Sequence, residues 1–444
     1  HFLDESHIFL FLAQVFIMLL LARGLGEIFS RWKQPALTAE ILAGILLGPT
    51  ILGRFFPEIH SYLFPNDPIQ RGMIETIAWL GIMFLLLDTG LEIDFSIAWR
   101  QRGNALTIAL ADIILPMIIA FVPAVLLPDS FLAHPEKRVI FGLFMATVMT
   151  ISAMPVAARM FHDFNMLKTE LGFLVVSALA VNDLIGWVLF TIILGVFLSS
   201  SVSITPVVVV FAATIGFSVF AIGLGRKIST RILAFLKGKG LKEPATSLTC
   251  VCLLGMLFGA FTEKLGIGSL YGFFIAGIVM GEAKNLSEET RGIISQMVHA
   301  VFVPLFFANI GLKVDFAANF NWWLVALITG VGIFGRYIGA WFGVTLTNVS
   351  RVNRNIVSIA HTPGGMMEIV VALVALESGL ITQEVFVAIV FSAVFSCVVA
   401  GPWLAFAMSK RSAVSVLDFI NKDFVFMLKS GDKESAVKEL VGLV

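Results

Sequence analysis

Charge is what this sequence has least of. Asp, Glu, Lys and Arg make up 14% of its 444 residues, and the two signs cancel at 30 each; a soluble domain carries about 25%. With the charges balanced, there is no bulk basic signal for nucleic-acid binding. Cysteine is nearly absent. Cys250, Cys252 and Cys397 fall in apolar stretches, and the first two would point to different faces of a helix, so they imply neither a disulfide framework nor a metal site. The seven histidines form no HExxH, and there is no phosphate-binding glycine loop and no GxSxG elbow. The chain is therefore not read as an enzyme, implies no cofactor, and lacks a nucleotide-driven engine. Tyrosine falls to 3 residues while phenylalanine reaches 41, a bias that suits helix surfaces facing lipid.

Apolar residues, 58% of the chain, are gathered into long runs. About 20 residues suffice to cross a bilayer as a helix. The runs predict an all-α polytopic membrane protein with thirteen transmembrane helices. These lie near 6–29, 37–53, 72–91, 104–127, 138–161, 170–198, 204–229, 245–263, 266–282, 293–313, 321–347, 355–379 and 384–409. Lys and Arg then set the orientation. With the N-terminus outside, eighteen of them fall on the inner side. Six (Arg54, Arg71, Lys137, Arg138, Lys264 and Lys313) fall on the outer side. The expected protein is a multi-pass component of the cell's inner (plasma) membrane, N-terminus outside and C-terminus cytoplasmic.

Asp183 is the one formal charge between Leu171 and Leu198. A lone carboxylate near the middle of a membrane helix costs about 2.5–3.5 kcal/mol or more. A chain retains such a group where it lines a cavity and handles a cation or a proton. A structural aspartate bonded to a neighbouring helix is the alternative.

The chain also repeats itself. GLEIDF (90–95) ends the third helix and GLKVDF (311–316) ends the tenth. Ala43, Gly44, Ile45 and Gly48 of the second helix recur as Ala276, Gly277, Ile278 and Gly281 of the ninth. The fifth helix is interrupted over Thr150–Pro155, and the twelfth over Thr362, Pro363, Gly364 and Gly365. Helices one to six and eight to thirteen read as two copies with helix seven as linker. Seven helices separate equivalent positions, so the second copy enters from the opposite side. This is the inverted repeat of alternating-access carriers, and matched breaks mark the substrate site. Proline and glycine open the backbone there, which is tolerated at that depth only around a cavity.

Around the breaks stand the candidate groups. Asp183, with Asn182, Thr150 and Ser152, offers oxygens to a hard monovalent cation. Arg336, alone in the eleventh helix, faces inward to meet a carboxylate or snorkels to the surface. Glu368, just past the second break, is its expected partner. Asp88 in the third helix is either part of the ion path or an interfacial carboxylate. A buried carboxyl can exchange H⁺ for a cation at one set of oxygens, and alternating access turns that competition into antiport.

The strings AEILAGILLGP (39–49), LDTGLEIDF (87–95), ALAVNDLIG (178–186), YGFFIAGIVMGE (271–282), PLFFANIGLKVDF (304–316) and GGMMEIVVAL (364–373) together resemble the second monovalent cation:proton antiporter family. That sodium/hydrogen exchanger group includes bacterial potassium-efflux systems, and the resemblance spans about residues 6–409. It implies a homodimer joined through helices 1–3 and 8–10, a core of helices 4–6 and 11–13, and elevator-like motion. Its carboxylate position falls on Asp183. Electrogenic members carry Asp where this chain has Asn182 and often Lys where it has Arg336. The resemblance therefore implies one titrating carboxylate and electroneutral one-for-one exchange of Na⁺ or K⁺ for H⁺.

The antiporter domain is expected to cover residues 1–411. Residues 412–444 read as the start of a truncated cytoplasmic regulatory domain, and His1 as the beginning of a trimmed segment. A cation channel or gated K⁺ efflux pathway on the same fold is the competing reading, and an intramembrane sensor a third.

Overall fold

A computed structural model describes residues 4–31, 34, 36–93, 102–198, 204–283 and 285–409. Lys33, Arg100, Lys284, Lys410 and Arg411 of the charge pattern, Asp94 and Phe95 of the 90–95 string, and all of 412–444 lie outside the described residues. Residues 1–404 form one compact unit. Of the second, 405–444, only the end of a helix at Ser409 is described.

The apolar runs fold as helices: α1 (Glu5–Arg31), α2 (Ala36–Leu47), α3 (Pro68–Glu92), α4 (Arg102–Val125), α5a (Arg138–Val148), α5b (Met154–Asp163), α6 (Glu170–Leu198) and α7 (Ile204–Phe220). A π-helical turn, Ala221–Gly225, carries α7 on into Arg226–Gly238. There follow α8 (Ala245–Lys264), α9 (Ser269–Gly281), α10 (Glu288–Met297), α11 (Trp322–Thr345), α12a (Arg351–Ala360), α12b (Gly365–Glu377) and α13 (Gln383–Ser409). The π-helical turn Val298–Phe302 extends α10 through Val303–Lys313. Eleven described helices have the length and apolar composition to cross a membrane. The 13-residue α9 and the two short pieces of α5 fall below that length.

Side chains punctuate the ends. Asp67, Ser287 and Asn321 accept the backbone N–H groups of Gln70, Thr290 and Leu324, capping α3, α10 and α11. Outward stripes such as Phe9, Leu12, Phe16 and Leu20 on α1 and Ile114, Ile118 and Val122 on α4 are exposed, as lipid-facing surfaces are.

Glycine decides the closest packing. Gly44 and Gly48 of α2 bring its backbone onto the carbonyls of Ala308 and Gly311 in the α10 extension. Gly277 of α9 meets the Leu87 carbonyl of α3, and Gly90 of α3 meets that of Phe274 in α9. The two contacts are counterparts: an AGI–G helix lies on a GL-ending helix in each. Gly277→Val should therefore be among the most damaging glycine substitutions. A side chain there collides with backbone, which cannot rotate away, and overpacking costs about 1–3 kcal/mol or more. Folded yield by size-exclusion chromatography in detergent is expected to collapse, whereas Gly26→Ala, which meets nothing within 4 Å, leaves it unchanged.

Both interrupted helices are broken. The α5 gap covers residues 149–153, just ahead of Pro155. Pro155 occupies the first turn of α5b, where its missing N–H removes no helical bond. Pro363 lies inside the α12 gap at 361–364.

Candidate functional site

The two gaps cross each other in the interior. The Ala153 N–H donates to the Pro363 carbonyl at 2.6 Å, and Ser152 Oγ donates to the His361 carbonyl at 2.8 Å. Broken helices free carbonyls that need donors. Arg336 of α11 supplies them: Nε donates to Thr362 O (2.9 Å) and a terminal nitrogen donates to Ile151 O (3.1 Å). That same nitrogen reaches Glu368 Oε2 at 3.0 Å, and both side chains are fully buried. Arg336 thus faces the core, and it ties α5 to α12 as well as to its carboxylate. Gly365 takes φ 68°, and a Cβ on Gly364 would overlap Glu368 Oε2. The Gly364–Gly365 pair is what lets Glu368 fold back over the gap to Arg336.

Helix α6 passes beside the crossing. Asn182 Oδ1 accepts the Ser152 N–H at 3.4 Å, and Asn182 Nδ2 donates to Asp112 Oδ2 of α4 at 3.1 Å. Thr150 is buried, and its hydroxyl donates back to Thr147 O at 2.7 Å, leaving lone pairs free to accept. Asp183 is 1% exposed, and neither of its carboxylate oxygens has a hydrogen-bond partner among the described residues. An aspartate kept to bond a neighbouring helix would show such a bond.

Glu92, the last residue of α3, is solvent-exposed and within charge–charge range of Asp183. One turn along α6 from Asp183, Trp187 packs against Phe274 of α9 with ring centroids 6.0 Å apart. Trp187 also lines a cavity of about 240 Å³ that runs past Thr191 and Leu194 to Leu198, with Trp79 and Tyr271 on its far wall.

Asp88 bonds elsewhere than Arg336 and Glu368. Its Oδ2 accepts from Ser295 Oγ (3.2 Å) and pairs with His299 Nε2 (3.1 Å), with Glu40 and Glu92 close enough to act on that histidine by charge. The reason is packing: α3 lies along α9 and α10, and the π-helical turn turns His299 toward it.

Asp112 is the residue that sequence reasoning missed. It is fully buried in α4 and touches both Asn182 and Ser152, the latter at 3.5 Å. The signal was present, since no other charge lies between Arg102 and Asp129. The rule that selects Asp183 selects it too.

The sequence and the fold have known counterparts. The family described as sodium/hydrogen exchanger, transmembrane, matches residues 14–410. The Na(+)/H(+) antiporter NhaS4 of Synechocystis is 28% identical over 405 residues, covering 90% of this chain and 97% of its own. The K(+)/H(+) antiporter 1 of Saccharomyces cerevisiae is 28% identical over 413 residues, 90% of this chain and 47% of its own. The chain thus spans about half the length of the yeast protein, as it does of the plant relatives it matches. The solved sodium proton antiporter MjNhaP1 from Methanocaldococcus jannaschii shares the fold, with a TM-score of 0.66 at 16% identity over 91% of this chain and 99% of that one. A multi-pass helical membrane protein with crossed breaks beside a buried aspartate, matched along nearly its whole length, this chain belongs to the sodium/hydrogen exchanger family of monovalent cation:proton antiporters.

Proposed function

We propose that this chain exchanges Na⁺ or K⁺ for H⁺ at Asp183, one for one and without net charge movement, by elevator-type alternating access. The observation that carries the reading is the partnerless, buried carboxylate of Asp183. A charge so placed is costly, and binding either a proton or a cation relieves it. The two ligands exclude each other because they take the same oxygens. Thr150, Ser152 and the Asn182 amide oxygen supply the remaining ligands from the crossing. Both Na⁺ and K⁺ are named for relatives, and both are hard cations that such oxygens suit.

The core in this reading is α4–α6 with α11–α13, and the scaffold and dimer interface are α1–α3 with α8–α10. Thirteen crossings in two inverted six-helix copies, with the N-terminus outside and the C-terminus cytoplasmic in the plasma membrane, complete it. The paired α2–α10 and α9–α3 glycine contacts support the repeat. Lys313 of the α10 extension supports motion at the core–scaffold boundary. It bridges Glu75 of the scaffold (3.2 Å) and Glu377 of the core (2.9 Å), partly exposed pairs that can break and re-form at little cost. A carrier fits better than a channel, because Asp183 is buried whereas a channel needs a continuous open path.

The test is flux in proteoliposomes with a pH dye, offering Na⁺, K⁺, Li⁺ and Rb⁺ in turn. Coupled, saturable exchange is expected. Its rate should not change when the membrane potential is clamped at zero, since a net charge would feel about 2.3 kcal/mol per 100 mV. Strong dependence on potential overturns one-for-one exchange. Cation flux without proton movement overturns antiport.

A further inference from the structure

We infer that Asp112 is a positioning residue that sets cation preference by holding the Asn182 amide in one orientation. The inference rests on the reading of Asp183 and Asn182 as parts of the exchange site. Asn182 presents two chemically different ends, and which end faces the crossing decides whether the site gains an oxygen or an N–H. A carboxylate accepts hydrogen bonds and an amide nitrogen donates them. Asp112 Oδ2 therefore takes Asn182 Nδ2 at 3.1 Å, and this turns Oδ1 toward the Ser152 N–H on the α5 gap. Reversing the amide would set its oxygen against the Asp112 carboxylate and its N–H₂ against the Ser152 N–H, two repulsive contacts.

Asp112 also approaches the other ligand. Ser152 Oγ gives its proton to the His361 carbonyl (2.8 Å) and lies 3.5 Å from Asp112 Oδ2, so the same carboxylate oxygen that takes Asn182 also borders the α5 gap. Asp112 is completely buried and lies within charge–charge range of Arg336. The second oxygen, Oδ1, has no partner among the described residues. A purely structural carboxylate would be expected to use both oxygens. Discrimination between ions of different radius depends on the number and field of oxygens and on how firmly they are held. Asp112 governs the hold.

The experiment measures apparent KM for Na⁺ and K⁺ in proteoliposomes for the parent, Asp112→Asn, Asn182→Ala and the double variant, with thermal midpoints in detergent alongside. Asn at 112 can donate as well as accept, so Asn182 is no longer oriented. The KM ratio between the two cations should move by about three- to tenfold, the scale of one hydrogen bond. In the Asn182→Ala background, Asp112→Asn should move the ratio no further, because the effect runs through Asn182. A folded Asp112→Asn that keeps the parent's ratio overturns the inference, as does an equal shift in both backgrounds. If Asp112→Asn does not fold, Asp112→Asn/Asn182→Asp is read instead. Its ratio is compared with that of Asn182→Asp alone: if residue 112 acts through residue 182, the two ratios should differ, and equal ratios again overturn the inference. Failure of the underlying reading looks different: Asp183→Asn would still exchange.

Discussion

Asp183→Asn is expected to reduce coupled exchange to the level of empty liposomes while leaving the protein folded and as stable as the parent. The two halves of this expectation come from the same fact. The carboxylate makes no hydrogen bond within the described protein, so an isosteric amide breaks none. A change in folding stability below about 1 kcal/mol is expected, since each lost hydrogen bond would itself cost about 0.5–1.5 kcal/mol. The amide removes the formal charge, though, and with it both the titration and the electrostatic attraction for a cation. Substrate proton and substrate ion lose their shared site at once. Dye-monitored flux and a thermal melt on the same preparation check both halves. Loss of flux accompanied by loss of folding would make Asp183 a structural residue.

Arg336→Met should do the opposite, destabilising the protein strongly. Removing one member of a fully buried pair strands the other, at about 3–5 kcal/mol. Here the stranded group is Glu368, and Arg336 also carries the bonds to Ile151 O and Thr362 O. Each carbonyl left without a donor adds about 1–3 kcal/mol. The thermal midpoint in detergent is expected to fall by many degrees. The double variant Arg336→Met/Glu368→Met relieves the stranded charge but not the carbonyls, so its midpoint should recover only in part. Full recovery would mean that the guanidinium bonds to the two gaps contribute nothing, and that the crossing is held by other contacts.

Much of the architecture was legible because a membrane simplifies the code. Lipid-facing helices must be apolar, so the runs mark the helices, and any charge inside a run stands out. Asp183, Arg336 and Glu368 were visible for that reason. The pairing of the last two followed from their being lone opposite charges in interior helices. The AGI–G and GL–DF strings were visible as repeats, but not that one packs on the other through glycine, since close backbone approach leaves no compositional trace beyond the glycine itself. The α5 break covers residues 149–153 rather than Thr150–Pro155, because Pro155 fits the first turn of α5b and the backbone opens just before it, at residues whose side chains carry no breaker signal.

What remained hidden depends on partners far apart in sequence. His299 became a partner for Asp88 only because a π-helical turn sits at Val298–Phe302, and nothing in that apolar stretch announces such a turn. Asp112 was overlooked for another reason. It lies in no recurring string, and its only mark in the sequence is that it is a lone carboxylate in an apolar run. Its contact with Asn182 joins α4 to α6 across 70 positions.

The most direct test of the central claim does not need a membrane. Purified protein in weakly buffered detergent solution, titrated with Na⁺ or K⁺ near the pH where exchange is half-maximal, should release protons as the cation binds, because both occupy Asp183. The parent is expected to release protons with a saturating dependence on cation, and Asp183→Asn to release none. Cation binding without proton release in the parent, or equal release from Asp183→Asn, would contradict the account.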